Sequence, residues 1–213
     1  MIFEGLRVID CSSFIAAPGS ATVLSDFGAD VIKIEPLGAG DPFRNVARMP
    51  GTPEADVNYG WLLDNRNKRG LALNLAKPEG LAVLKRLVQR TDVFITNFPL
   101  AVRKKLEVSY ESLAVLNERL IYASFTGYGE EGEEAAKPGF DMTAWWARSG
   151  LMDGVRVDAE AAPRAPTPAW AITRPRFRCS RPSPSRYTSA SVAGAACRWA
   201  RPLSPMGSGR TAS

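Results

Sequence analysis

The sequence predicts an α/β fold built on a parallel sheet, and three observations carry that prediction. Short apolar runs rich in Val and Ile recur at Leu6–Asp10, Ala29–Glu35 and Asp92–Thr96, each too short for a helix and bounded by turn residues. Segments with helical spacing lie between them, at 18–28 and 78–90. The first strand–helix–strand unit is about 30 residues long, which suits a right-handed crossover between parallel strands.

The elements follow in order. Leu6–Asp10 is the first strand. Pro18 opens a helix through Gly28 with Ala21, Leu24 and Phe27 at helical spacing; proline suits a first helical turn and glycine a C-terminal cap. Ala29–Glu35 is the second strand. Pro36 to about Asn58 is irregular and rich in Gly and Pro, and a loop that long in a compact domain serves function or moves. Leu71–Leu75 reads as a strand after the basic run Asn65–Arg69, and Pro78–Arg90 as an amphipathic helix with Leu81, Leu84, Leu87 and Val88 on one face. Asp92–Thr96 is the next strand, 101–117 hold two short helices, and Leu120–Phe125 is a last strand before a turn at Gly127–Gly129. Strands alternating with helices give a Rossmann-like parallel sheet with flanking helices.

Composition narrows the chemistry. The 213 residues suffice for one domain or two small ones, and 45% hydrophobic with 23% charged residues exclude wholesale disorder. No apolar run approaches the roughly 20 residues of a membrane span, and the N-terminus lacks the basic-then-apolar pattern of a signal peptide. A cytoplasmic protein without membrane contact is expected. Cys11, Cys179 and Cys197 are too few and too irregularly spaced for a disulfide scaffold or a zinc site. Histidine is absent, which removes Ser-His-Asp and Cys-His catalysis and most catalytic zinc sites. No metal and no permanently bound cofactor is expected; carboxylates, lysines and hydroxyls are left for any chemistry.

Local motifs leave alternatives open. Ser12–Gly19 lies where the first strand ends and a helix begins, a place where ligands gather and free N–H groups attract phosphates, yet alone it is an ordinary turn. Gly38 and Gly40 open no helix and read as a plain turn. Two basic clusters, Arg66, Lys68, Arg69 and Arg103, Lys104, Lys105, are either phosphate sites or solvated surface charge. Asp141 reads as a cap or turn residue, and Trp145 and Trp146 as core.

Charge divides the chain into a body, 1–169, and an Arg/Ser/Pro-rich tail, 170–213. Residues 1–171 contain 19 Lys and Arg and all 22 Asp and Glu, whereas 172–213 contain eight Arg, no Lys and no acid. A disordered or irregular basic tail is expected. As a genuine arm on a non-enzymatic protein it would bind nucleic acid. The same bias arises when GC-rich DNA is translated out of frame. With one base lost in the codon of Ala169, and only wobble bases free, the restored frame can read P-A-M-G-D-H-A-T-A-I-S-L-F-S-A-V-A-L-A-L-Y-Q-R-E-R-S-G-R-G. That is a capped apolar helix and a polar turn with no forced stop. We read 170–213 as out-of-frame translation, with no specific nucleic-acid partner; the basic arm is the alternative.

Taken together, the segments carry a resemblance. G-L-R-V-I-D at 5–10, A-P-G at 17–19, L-S-D-F-G-A-D-V-I-K-I-E-P at 24–36, G-D at 40–41, N-R-N-K-R-G-L-A-L-N-L at 65–75, P-E-G at 78–80, D-V-F-I-T-N-F at 92–98 and A-S-F-T-G-Y-G at 123–129 occur in order. Over residues 3–168 this series resembles the class III CoA-transferases of the CaiB/BaiF type, the group of formyl-CoA transferase, carnitine CoA-transferase and the α-methylacyl-CoA racemases. The restored frame, with G-D-H and Y-Q-R-E-R-S-G-R-G, resembles the same family beyond that point.

The resemblance implies transfer of CoA between acyl-CoA thioesters and carboxylic acids, with the aspartate of G-D-H as nucleophile and an aspartyl-CoA intermediate. In this chain that slot holds Ile172, which can neither attack nor ionise, so no catalytic residue is present and the chain is expected to be inactive. CoA or acyl-CoA is then a substrate, with contacts implied at Ile15 and Ala16, at Leu73, Asn74, Leu75 and Ala76, at Asn97 and Phe98, at Lys105 in place of a phosphate-binding arginine, and at Pro138, Gly139, Phe140 and Asp141. Pro36 stands where some members have an arginine. The family fold is a large Rossmann-like domain, a linker, a small domain and a return to the first, with two subunits interlocked as a homodimer; this chain stops about halfway along that plan. The racemases are the nearer alternative. They use a histidine in a G-H-D segment, and here Phe140 fills that place and carries no proton, which favours the transferases.

Overall fold

Five parallel strands form the centre of the computed structural model, which describes residues 1–45 and 54–163, and the backbone alone at 46–48, 190–192 and 195–200. They are β1 (Arg7–Asp10), β2 (Asp30–Glu35), β3 (Arg69–Ala72), β4 (Val93–Thr96) and β5 (Ile121–Thr126). The spatial order β3-β2-β1-β4-β5 is doubly wound, and Ile9 of β1 lies in register with Ile32 of β2 and Phe94 of β4. The helices are α1 (Ala16–Asp26), α2 (Tyr59–Asn65), α3 (Pro78–Val88), α4 (Leu100–Lys105), α5 (Tyr110–Ala114) and α6 (Leu151–Gly154), joined by a 3-10 turn at Pro42–Arg48 and a π-helical turn at Asp141–Ala147.

Strand alternation assigns the two faces. Val8, Val31, Val93, Ile95, Ala123 and Phe125 point to one side, where Ala17, Ala21 and Leu24 of α1 cover them. Ile9, Ile34, Phe94 and Tyr122 point to the other, against Leu84 and Val88 of α3, Val108 and Leu113. Both faces are therefore dry, as a parallel sheet requires, and each fully buried large side chain contributes about 1.5–3 kcal/mol.

Several boundaries differ from the sequence reading. Helix α1 begins at Ala16, which makes Pro18 its third residue; proline is tolerated there because first-turn N–H groups have no intrahelical partner. Gly28 follows the helix at φ 104°, a conformation that glycine adopts without a Cβ penalty. Strand β3 spans Arg69–Ala72, beginning two residues earlier than the apolar alternation suggests; Leu73 N still donates to Glu35 O at 2.9 Å, and the chain then turns at Asn74 while Leu73 and Leu75 pack against the core. The Gly/Pro-rich stretch contains the 3-10 turn at Pro42–Arg48, and α2 forms where sequence patterning assigns nothing.

The tail adds two strands, β6 (Ala190–Val192) and β7 (Ala195–Ala200), where an irregular segment is expected. β7 pairs antiparallel with β5, Ser124 opposite Arg198, and extends the sheet to seven strands. The physical reason is the free edge of β5, whose unpaired N–H and C=O groups accept an extended chain whatever its side chains. Ile172 and the boundary between 169 and 170 lie outside the described residues.

Candidate functional site

All five parallel strands end on the same edge of the sheet, and the segments that follow four of them enclose a cleft of about 380 Å³. Ser12 and Ser13 come from the end of β1, Glu35–Leu37 from β2, Leu73–Ala76 from β3 and Phe98 from β4, with Asp41, Pro42 and Leu106 completing the wall. The crevice beside the strand where sheet order reverses is where open α/β sheets bind ligands. Its Leu73–Ala76 wall is a self-capped turn: Asn74 Oδ1 accepts from Ala76 N at 3.1 Å and Asn74 O from Lys77 N at 3.1 Å. Gly80 of α3 packs directly on this turn, because an added Cβ would fall inside the Asn74 carbonyl oxygen.

The β1–α1 turn forms the opposite wall. Phe14 is held in the left-handed region, φ 63°. Asn97, just past β4, brackets the residue before it: Ser13 N donates to Asn97 Oδ1 at 2.9 Å, and Asn97 Nδ2 donates to Ser13 O at 2.8 Å. Phe14 N donates to Asp41 Oδ1 at 3.2 Å.

Beneath the turn lies a buried charge network. Lys33 Nζ is 3.0 Å from Asp41 Oδ2 and 3.7 Å from Asp10 Oδ2, and Lys68 Nζ is 2.8 Å from Asp10 Oδ2. Two lysines thus face two aspartates, and the Glu35 and Asp64 carboxylates act on the same lysines from further away. Burial by itself pushes the Asp10 carboxyl up, but Lys68 and Lys33 outweigh it and hold it below the usual carboxylate value. Burial depresses Lys33, yet Asp10 and Asp41 together hold it above its ordinary value. Lys68 faces one close carboxylate, and there burial dominates and holds it below. At the rim Arg44 forks onto Glu35 with two bonds of 2.7 Å and lies 3.7 Å from the Trp61 ring centre. The Glu35 carboxyl, pushed up by burial, is brought below its ordinary value chiefly by this guanidinium.

The residues singled out in sequence separate into groups. Leu73, Asn74, Leu75, Ala76 and Phe98 line the cleft together. Ile15 and Ala16 begin α1 directly after the Ser12–Phe14 turn, and Ile15 makes no side-chain cap. Asn97 commits its amide to Ser13. Lys105 is exposed at the end of α4, next to the cleft residue Leu106. Pro138, Gly139, Phe140 and Asp141 are not among the cleft residues; Gly139 packs on Gly127 after β5, where an added Cβ would lie 2.6 Å from the Gly127 Cα. Phe140 is 60% exposed, and Trp146 is buried beside Trp145.

Four of the six clustered cations are engaged by carboxylates rather than offered to phosphate. Arg66 pairs with Asp26 at 2.5 Å, Arg69 with Asp30 at 2.6 Å, Lys68 with Asp10, and Arg103 with Glu130 at 2.6 Å; Lys104 and Lys105 are exposed. Asp10, Lys33, Glu35, Asp41 and Arg44 were not candidates in the sequence. Their signal was present: Asp10 and Lys33 interrupt apolar strand runs, where a charge is either paired or misplaced.

Comparison with known proteins supplies the family. Residues 3–172 match CoA-transferase family III. The chain belongs to this family. Among curated members, it is 40% identical over 156 residues to (R)-2-hydroxy-4-methylpentanoate CoA-transferase of Clostridioides difficile, covering 73% of this chain and 39% of that protein. It is 44% identical over 142 residues to the succinyl-CoA–L-malate CoA-transferase beta subunit of Chloroflexus aurantiacus, covering 66% and 34%. Among solved structures, an aspartate-to-alanine mutant of Rv3272 from Mycobacterium tuberculosis superposes with TM-score 0.75 at 28% identity, covering 84% of this chain and 47% of that one. A CaiB/BaiF family protein from Brucella suis gives TM-score 0.70 at 31% identity, covering 83% and 47%. The chain thus spans under half the length of each of these four proteins. Among the described residues no helix is long and apolar enough to cross a membrane.

Proposed function

We propose that this chain holds the acyl-CoA-binding half of a CoA-transferase, an enzyme type that moves CoA between acyl-CoA thioesters and carboxylic acids. The cleft at the carboxyl ends of the strands carries the reading: Leu73, Leu75, Ala76, Phe98 and Leu106 supply apolar walls for a nucleotide base and a pantetheine arm, and the exposed Lys105, next in sequence to Leu106, is assigned to a phosphate. The family resemblance assigns Ile15 and Ala16, at the start of α1 directly after the cleft residues Ser12 and Ser13, to the coenzyme as well. The interlocked homodimer and the cytoplasmic setting belong to the same reading.

The chemistry follows from the nucleophile that the family resemblance implies. A carboxylate attacks the thioester carbonyl, and the acyl–sulfur bond breaks as an acyl–oxygen bond forms; the released CoA thiolate then attacks the enzyme-side carbonyl of the mixed anhydride, whose C–O bond breaks to expel the donor acid as its carboxylate and leave an enzyme-bound thioester. The acceptor acid then reverses both steps. Ile172 offers no carboxylate, so this chain binds CoA without turning it over. Transferase is favoured over racemase because Phe140, exposed beside Asp141, has no proton to exchange.

Calorimetric titration of the chain with CoA tests the reading. Saturable binding is expected, abolished by Ala76→Trp, which fills the cleft. Mass spectrometry after incubation with acetyl-CoA should show no covalent CoA adduct. Failure to bind CoA overturns the cleft assignment, and an adduct overturns the claim of inactivity.

A further inference from the structure

The cleft's geometry depends on a turn that is held in an uncommon conformation. Ser12 and Ser13 line the cleft, and the next residue, Phe14, has φ 63°, which side chains with a Cβ rarely adopt outside Asn and Asp. Asp41 comes from a different segment, the loop after β2, and is 1% exposed. Its Oδ1 accepts from Phe14 N at 3.2 Å and from Phe43 N at 2.9 Å. Its Oδ2 faces Lys33 Nζ at 3.0 Å, and Lys33 Nζ in turn donates to Ser12 O at 2.9 Å. One carboxylate therefore ties the loop after β2 to both ends of the Ser12–Phe14 turn, directly at one end and through Lys33 at the other.

We propose that Asp41 is a positioning residue for the coenzyme: by holding the Phe14 N–H it keeps the Ser12–Phe14 turn in its left-handed form and so sets the distance between that wall of the cleft and the Leu73–Ala76 wall. This rests on the reading of the cleft as the acyl-CoA site. Without the acceptor, a turn of L residues relaxes towards negative φ and carries Ser13 and the start of α1 with it. Asn97 grips Ser13 but makes no bond to Phe14, so it does not replace Asp41.

A charge partner for Lys33 and a clamp on Phe14 predict different outcomes in three variants of the full 213-residue chain. Asp41→Asn keeps an oxygen acceptor for Phe14 N–H but loses the charge facing Lys33; it should melt lower while binding CoA about as tightly as the parent. Asp41→Ala loses both and should bind CoA about tenfold more weakly, with faster amide exchange at 12–16. Adding Phe14→Gly to Asp41→Ala should restore most of the affinity while the melting temperature stays low, because glycine adopts the left-handed conformation unaided. Parent-like affinity in Asp41→Ala, or no recovery in the double variant, overturns the proposal and leaves Asp41 as a structural ion partner. If the parent chain does not bind CoA, the cleft assignment falls. Amide exchange, which needs no ligand, still judges the clamp, and unchanged exchange at 12–16 in Asp41→Ala overturns it.

Discussion

Lys68 shows how a charged side chain becomes part of a core. Its side chain is 2% exposed, and its ammonium group shares its three N–H donors among four acceptors within hydrogen-bond distance, Asp10 Oδ2 at 2.8 Å, Pro18 O at 2.7 Å, Asp64 O at 2.9 Å and Asn65 Oδ1 at 3.0 Å. Removing it leaves Asp10 buried with the Ser12 hydroxyl and a single, more distant cation, Lys33 at 3.7 Å. Lys68→Met should therefore cost about 3–5 kcal/mol in denaturant unfolding, far above the 0–1 kcal/mol typical of a surface pair. Acid should act through the same network. Asp10 and Glu35 are both held below their usual values of 3.8 and 4.5, so each favours the folded state above its unfolded pKa, and that contribution is lost as pH falls through and below that range. Stability should be flat near neutrality and fall from about pH 5 downward, with a shallower fall in Glu35→Gln. The sequence showed Asp10 and Lys33 only as interruptions of apolar runs, because nothing in V-I-D or V-I-K-I-E says which opposite charge from a distant segment will arrive as a partner.

Elements were legible where burial follows periodicity and illegible where it does not. Helix α3 puts Leu84 and Val88 in the core with Leu81 and Leu87 packed against it, the stripe its spacing announces. Helix α2 does the reverse: Leu62 and Leu63 are 50% and 57% exposed while Asp64 and Asn65 are buried, so no apolar stripe marks it. Its one local signal is Asn58, whose side chain accepts from Trp61 N at 3.1 Å as an N-cap. The cleft was legible as motif segments but not as a cavity, since only packing brings Leu73–Ala76 against Ser12 and Phe98. Gly80 tests that packing. Helix propensity alone predicts that Gly80→Ala stabilises α3 by about 1 kcal/mol. The new methyl, however, would overlap the Asn74 carbonyl, a backbone atom that cannot swing aside. Sterics should win: a net loss of about 1–3 kcal/mol is expected, together with weaker CoA binding as the Leu73–Ala76 wall is displaced. A more stable variant with unchanged binding would show that this wall yields freely.

At the scale of the whole molecule, the sheet is asymmetric in how its edges end. On one side β3 is the outermost strand; on the other, β5 is covered by β7, whose pairing runs from Tyr122 opposite Ala200 to Thr126 opposite Ala196. The tail's composition announces no strand, and the pairing needs none: backbone groups do the work, and small residues such as Ala195 and Ala196 do not resist an extended conformation. This separates two views of residues 170–213. If they are out-of-frame translation, β7 has no selected role, yet it still shields an edge that would otherwise template pairing with a second chain. Substituting both Ala196 and Cys197 with proline removes two adjacent N–H donors, at least one of which faces β5 in an antiparallel ladder. The variant should expose the β5 edge and self-associate, read as a concentration-dependent rise in sedimentation coefficient, while CoA binding at the far side of β1 stays near that of the parent. An unchanged sedimentation coefficient would mean that β7 protects nothing. The shielding would then have to come from elsewhere in the chain, and the five parallel strands would stand as the whole of the functional sheet.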